Sequence, residues 1–119
     1  MQRRYKYTDI RGLKRTLAAN GGGKPLETKI AIATGLLAHA QPEVRATWRY
    51  QVRRMRMVNA ARNARASYTA GINGNHKPHF RKAIEWHEIA ASNATKIGEH
   101  EKARKYRAEA ARLKDFLEY

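Results

Sequence analysis

Cysteine is absent from this chain of 119 residues. Disulfide staples and thiolate metal sites are therefore excluded, a composition that fits a reducing compartment. No apolar run approaches the ~18 residues that a membrane helix needs. The opening segment MQRRYKYTDIRG carries charge but no apolar core segment, so it does not read as a secretory signal. Alternating β-branched runs are missing and alanine is frequent, which argues against a sheet. Serine occurs only at Ser67 and Ser92, and neither sits in a nucleophile turn. Acidic residues are scarce over most of the chain. Residues 1 to 80 hold Asp9, Glu27 and Glu43 against sixteen Lys/Arg, a net of +13, whereas residues 81 to 119 hold seven acids against nine bases, a net of +2.

A total of +15 on one small chain repels itself. It implies an anionic partner, and the sorting of charge directs that partner to the first two thirds. The expected location is intracellular (cytoplasmic or nucleoid-associated) or inside a virus particle, with no membrane partner.

Helix signals dominate what remains. Thr8 or Asp9 is placed to cap a first helix carrying Ile10, Leu13 and Leu17, which stops at Asn20-Gly21-Gly22-Gly23. Pro25 and Glu27 suit the first turn of a second helix, with Leu26, Ile30, Ala33 and Leu37 along one face. Pro42 opens a third and longest helix reaching Ala66 to Tyr68. The composition of Gly71 to Pro78 predicts a loop. Two further helices are predicted over about 79 to 97 and 100 to 117, with Gly98 as the residue that ends the first of them. The expected fold is all-α: one domain over residues 1–119, a compact bundle of about five helices with a long Arg-rich central helix and a C-terminal antiparallel hairpin.

In that hairpin, Trp86, Ala90 and Ala94 lie on the first helix, and Gly98, Ala103, Tyr106 and Ala110 fill the turn and second helix. Residues 81 to 118 resemble a single tetratricopeptide-type unit. The resemblance implies one antiparallel pair of helices, not a repeat array, since no second copy precedes it. Small-residue packing between two ordinary helices is the alternative.

The stretch Gln41–Tyr68 holds seven arginines and, after Glu43, no acid. On a helical projection with Arg45 at zero, Arg49 falls at about 40°, Arg53 at about 80° and Arg56 at about 20°. Asn59 and Asn63 continue this strip. Val44, Trp48, Met55 and Val58 flank it on one side, and Tyr50, Met57, Ala61, Ala64 and Tyr68 on the other. An ordinary solvated helix mixes signs, and the like-charged pairs Arg45–Arg49 and Arg49–Arg53 are mildly destabilising. Arginine's planar fork takes two phosphate oxygens at once. The alternative is internal pairing with Glu85, Glu88, Glu99 or Glu101. Gln2-Arg3-Arg4-Tyr5-Lys6-Tyr7 reads as a second basic-aromatic segment, an arm with Tyr5 or Tyr7 disposed to stack on bases; the alternative is a disordered or packed terminus. Arg11, Lys14 and Arg15 extend the basic surface. Residues 30 to 56 have the outline of a helix-turn-helix reader.

Catalytic and cofactor signals fail in detail. Gly21-Gly22-Gly23-Lys24-Pro25 lacks the preceding strand of a phosphate-binding loop and has proline where Ser or Thr is required. His76 and His79 have no further ligands to complete a metal set. The expectation is a non-enzymatic protein without cofactor or metal. It binds DNA or RNA through Arg45, Arg49, Arg53 and Arg56, with Arg3, Arg4, Arg11 and Lys14 in support. A second expectation is a small helical adaptor, or a virus-type assembly or host-interaction protein, docking on an acidic protein partner.

Overall fold

The computed structural model describes residues 5–74 and 76–118. The regular elements among them are helical: α1 (Ile10–Gly21), α2 (Leu26–Leu36), α3 (Pro42–Asn73), α4 (His76–Lys96) and α5 (His100–Glu118), with one 3-10 turn at Leu37–His39. The only β-type pairing among these residues is an isolated parallel bridge between Tyr7 and Ala40. The fold is all-α, as the sequence predicts.

The chain divides into two compact units, one ending at Met55 and the other beginning at Arg56, so the boundary falls within α3. Division by packing thus differs from the division by charge at residue 80. The spacing of buried residues along α3 accounts for the break. Trp48 and Val52 are four apart, and Met57, Ala60 and Ala64 are three and four apart, but the step from Val52 to Met57 is five. A helical apolar stripe repeats at three or four residues, so this step ends one stripe and starts another.

The first unit buries Tyr7, Leu13, Ala33, Ala40, Trp48 and Val52, with Ile10, Leu17, Leu36, Leu37, Val44 and Met55 packed around them. Asp9 caps α1 by accepting the Gly12 N–H at 2.8 Å. Tyr7 follows the packed-terminus alternative and not the stacking arm. It is 8% exposed. Its N–H donates to the His39 carbonyl at 3.0 Å and its carbonyl accepts from the Gln41 N–H at 2.9 Å. These backbone bonds hold the segment against Ala40 and turn the ring into the core. Tyr50, expected on an apolar flank, is 39% exposed. The buried residues of α3 in this unit, Trp48 and Val52, project at about 300° and 340°, opposite Tyr50 at about 140°.

In the second unit, α4 and α5 form the hairpin. Phe80, Ala83 and Ile84 pack with Ala110 and Leu113, and Ala94 packs with Ala103 and Met57. The early part of α4 thus meets the late part of α5, which makes the pair antiparallel. Gly98 lies at φ 80°, in the left-handed region that favours glycine. The Gly98 N–H donates to the Thr95 carbonyl at 3.1 Å and the Glu99 N–H to Ala94 at 2.8 Å, which together make the Schellman closure of α4.

The loop expected over 71–78 is largely helix. α3 runs on to Asn73 and α4 begins at His76. His76 Nδ1 bonds the Gly71 carbonyl, satisfying one of the last-turn acceptors of α3. Pro78 is the third residue of α4, where a missing N–H costs no helical bond. Gly71 stays helical because it is a packing position: a Cβ there would lie 2.9 Å from the Phe80 ring.

Candidate functional site

The exposed cations of the first unit follow from how α1 is buried. With Ile10, Leu13 and Leu17 turned to the core, Arg11, Lys14 and Arg15 are left at the surface. A groove of about 510 Å³ runs beside them, lined by Lys6, Tyr7, Gly12, Arg15, Thr16, Ala19 and Asn20. Its walls are set locally. Thr16 Oγ1 donates to the Gly12 carbonyl at 2.9 Å and Asn20 Nδ2 to the Thr16 carbonyl at 3.0 Å. Lys6 Nζ lies 5.6 Å from the centroid of the Tyr7 ring, a cation–π distance.

Lys6 and Arg15 line this groove, whereas Arg11 and Lys14 are exposed on α1 outside it. Sequence reasoning ranked these four cations differently. The usable signal was the spacing Gly12, Arg15, Thr16, Ala19, which places small and basic residues on one helical face. Arg3 and Arg4 lie outside the described residues.

On α3 the structure separates arginines that the sequence grouped. Arg45 is half-buried. Its Nη2 donates to the Ala40 carbonyl at 3.0 Å, its guanidinium carbon is 5.7 Å from the Tyr5 centroid, and its Nε is buried without a protein partner. That guanidinium is committed to the connection ahead of α3. Arg49 is exposed and Arg53 half-buried, and neither forms an ion pair among the described residues. Arg56 belongs to the second unit, where it is exposed.

The first unit holds twelve Lys/Arg against three acids, a net of +9. Asp9 caps α1, Glu43 accepts from Gln41 Nε2 at 3.4 Å, and Glu27 sits in the first turn of α2. Each acid therefore acts locally. In the second unit, Lys114 pairs with Glu88 and Arg112 with Glu109, both at 2.7 Å. The hairpin's acids and bases are thus partly matched within it.

Among the described residues, no three His, Asp or Glu side chains are grouped to hold a metal ion. No helix among them is long and apolar enough to cross a membrane. Fold and site together define a strongly basic all-α protein whose first unit exposes an excess of cations. No protein-family model, curated protein or solved structure matches the chain.

Proposed function

We propose that the chain is a non-enzymatic nucleic-acid-binding protein that holds backbone phosphates with modest sequence preference. The first unit makes the principal contact. Lys6, Arg11, Lys14, Arg15 and Arg49 are the leading donors, Arg53 adds charge, and Arg45 supports the surface from within.

One observation carries this reading. The first unit exposes cations while each of its three acids acts locally in caps and turns. Uncompensated Lys/Arg on a polyanion release condensed counterions, which supplies affinity without readout of sequence. Arginine adds a fork that matches two phosphate oxygens.

The test is a salt titration with a generic duplex and a single strand. Log affinity falls linearly with log salt, with a slope of about −0.9 per phosphate neutralised on duplex and about −0.7 on a single strand. Affinity no better than millimolar at about 50 mM salt refutes the reading, because phosphate contacts are strongest at low salt. A pull-down before and after nuclease treatment provides an independent check. Partners that vanish support nucleic acid, and partners that persist support docking on an acidic protein.

A further inference from the structure

The second unit contains a pocket of about 340 Å³ whose lining differs in kind from the cationic surface of the first. Its volume is at the lower end of the ~300–1,000 Å³ range of small-molecule sites. Three helices build it. α3 contributes Arg65 and Tyr68 over the small Ala61, α4 contributes His87, and α5 contributes Lys105, Tyr106, Glu109 and Arg112. The positions Ala61, Arg65, Tyr68 and Lys105, Glu109, Arg112 each repeat at three or four residues, so each set lies on one helical face.

Aromatic surface and positive charge converge here. The His87 and Tyr106 rings lie with centroids 6.4 Å apart and planes 29° apart. The Arg112 guanidinium carbon lies 5.9 Å from the centroid of the Tyr68 ring. Arg112 also holds the pocket's one carboxylate, Glu109, at 2.7 Å. Arg65 and Lys105 are exposed and form no ion pair among the described residues. The pocket therefore sets three half-buried rings beside Arg65 and Lys105, the second of which also lies in the field of Glu109. A planar, uncharged ring system attached to a phosphate complements both features, since every base has a π-face and every nucleotide an anion.

We propose that this pocket takes one unstacked nucleotide, its base against Tyr68, Tyr106 and His87 and its phosphate held by Arg65 and Lys105. The ligand is either a free mononucleotide or one nucleotide of a single strand. The second source rests on the nucleic-acid function proposed for the first unit, and the first does not. Duplex DNA keeps its bases stacked and is not a ligand for this pocket, so the site adds a preference for single strands to a protein that is otherwise indifferent.

The experiment uses the full chain and three probes at one salt concentration: AMP, a short single-stranded oligonucleotide, and a duplex of the same length. The single strand is expected to bind about tenfold more tightly than the duplex, as one stacked base supplies. R65Q/K105Q is expected to lose about that factor on the single strand and to leave duplex binding nearly unchanged. AMP binding that the double variant weakens, with no preference for the single strand, assigns the pocket to a free nucleotide. Equal binding of single strand and duplex, with no AMP binding at millimolar concentration, overturns the pocket while leaving the phosphate surface intact. No binding of any probe overturns both. Should melting show that the double variant is unfolded, competition on the parent decides. AMP displaces the oligonucleotide from the pocket and inorganic phosphate at equal concentration does not. Equal displacement by the two anions refutes base recognition.

Discussion

The Trp48 indole Nε1 donates to the Ala33 carbonyl at 2.8 Å, across fifteen residues of sequence. The bond forms where α2 ends. There the Leu37 N–H turns to the Thr34 carbonyl instead of continuing the α-helical pattern, and the indole takes the carbonyl of Ala33. One side chain thus fills the first core and satisfies a helix C-terminus. Trp48→Phe keeps most of the apolar contact and loses the bond. The expected loss is about 1–3 kcal/mol, the cost of leaving a buried acceptor without its donor. A urea midpoint unchanged from the parent contradicts this.

Arg45 and Arg49 occupy successive turns of α3 and are expected to respond differently to the same substitution. Arg45→Gln removes the bond to Ala40, and its main effect is a lower melting temperature, equivalent to about 1.5–3 kcal/mol for a charged donor on a carbonyl. Arg49→Gln leaves melting nearly unchanged. It reduces the salt slope of duplex binding by about 0.9, one phosphate contact. Melting curves and salt titrations of the two variants, run side by side, check the assignment. A slope change confined to Arg45→Gln reverses it.

Gly71→Ala sets helix propensity against space. Alanine gains up to about 1 kcal/mol in a helix interior. Its Cβ meets Phe80, which is 4% exposed and held by Tyr68 at 5.6 Å and Phe116 at 5.4 Å between centroids. Overpacking of this kind costs typically about 1–3 kcal/mol, so the net expectation is destabilisation. Phe80→Leu should reduce the penalty of the alanine, and a double-mutant cycle reads that coupling.

His87 gives stability a pH dependence. Burial lowers its pKa. The Glu109 carboxylate opposes that shift and the Arg112 guanidinium adds to it. The unfolded chain takes up this proton near pH 6.5, and the folded chain only at lower pH. Stability is therefore full above about 6.5 and declines as pH falls toward the depressed folded value. Glu109, itself lowered mainly by its hydrogen bond from Arg112, contributes a separate decline at more acidic pH, below its ordinary 4.5. His87→Phe should flatten the melting temperature between about pH 7 and 5, and a variant with the parent's slope refutes the assignment.

The features legible in the sequence are those set by near neighbours. Asp9 caps a helix three residues ahead, and Gly98 closes one through bonds spanning five residues at most. Turn chemistry of this kind is local and carries its own signature. The rest depends on residues that meet only after folding. Tyr7 has the neighbours of a basic arm in sequence, and the distant His39–Gln41 segment makes it part of a core. The composition of 71–78 gives no sign that Phe80 presses on Gly71 or that His76 reaches the Gly71 carbonyl. Arg45 and Arg49 have the same side chain, and the Ala40 carbonyl and distant Tyr5 ring that meet Arg45 distinguish them. The pocket on the second unit is not legible in the sequence because α3 completes it, and the place where α3 packs on the predicted hairpin leaves no mark in the spacing.

Alanine supplies much of the second unit's interior: Ala60, Ala64, Ala83, Ala90, Ala91, Ala94, Ala103 and Ala110 are all buried. Each removes little apolar surface from water compared with leucine or phenylalanine. The heat capacity of unfolding scales with that surface. A unit sealed by methyl groups should therefore have a small heat capacity increment for its length, and so a broad, shallow curve of stability against temperature. Cooling erodes such a unit little, because the term that weakens in the cold is small from the start.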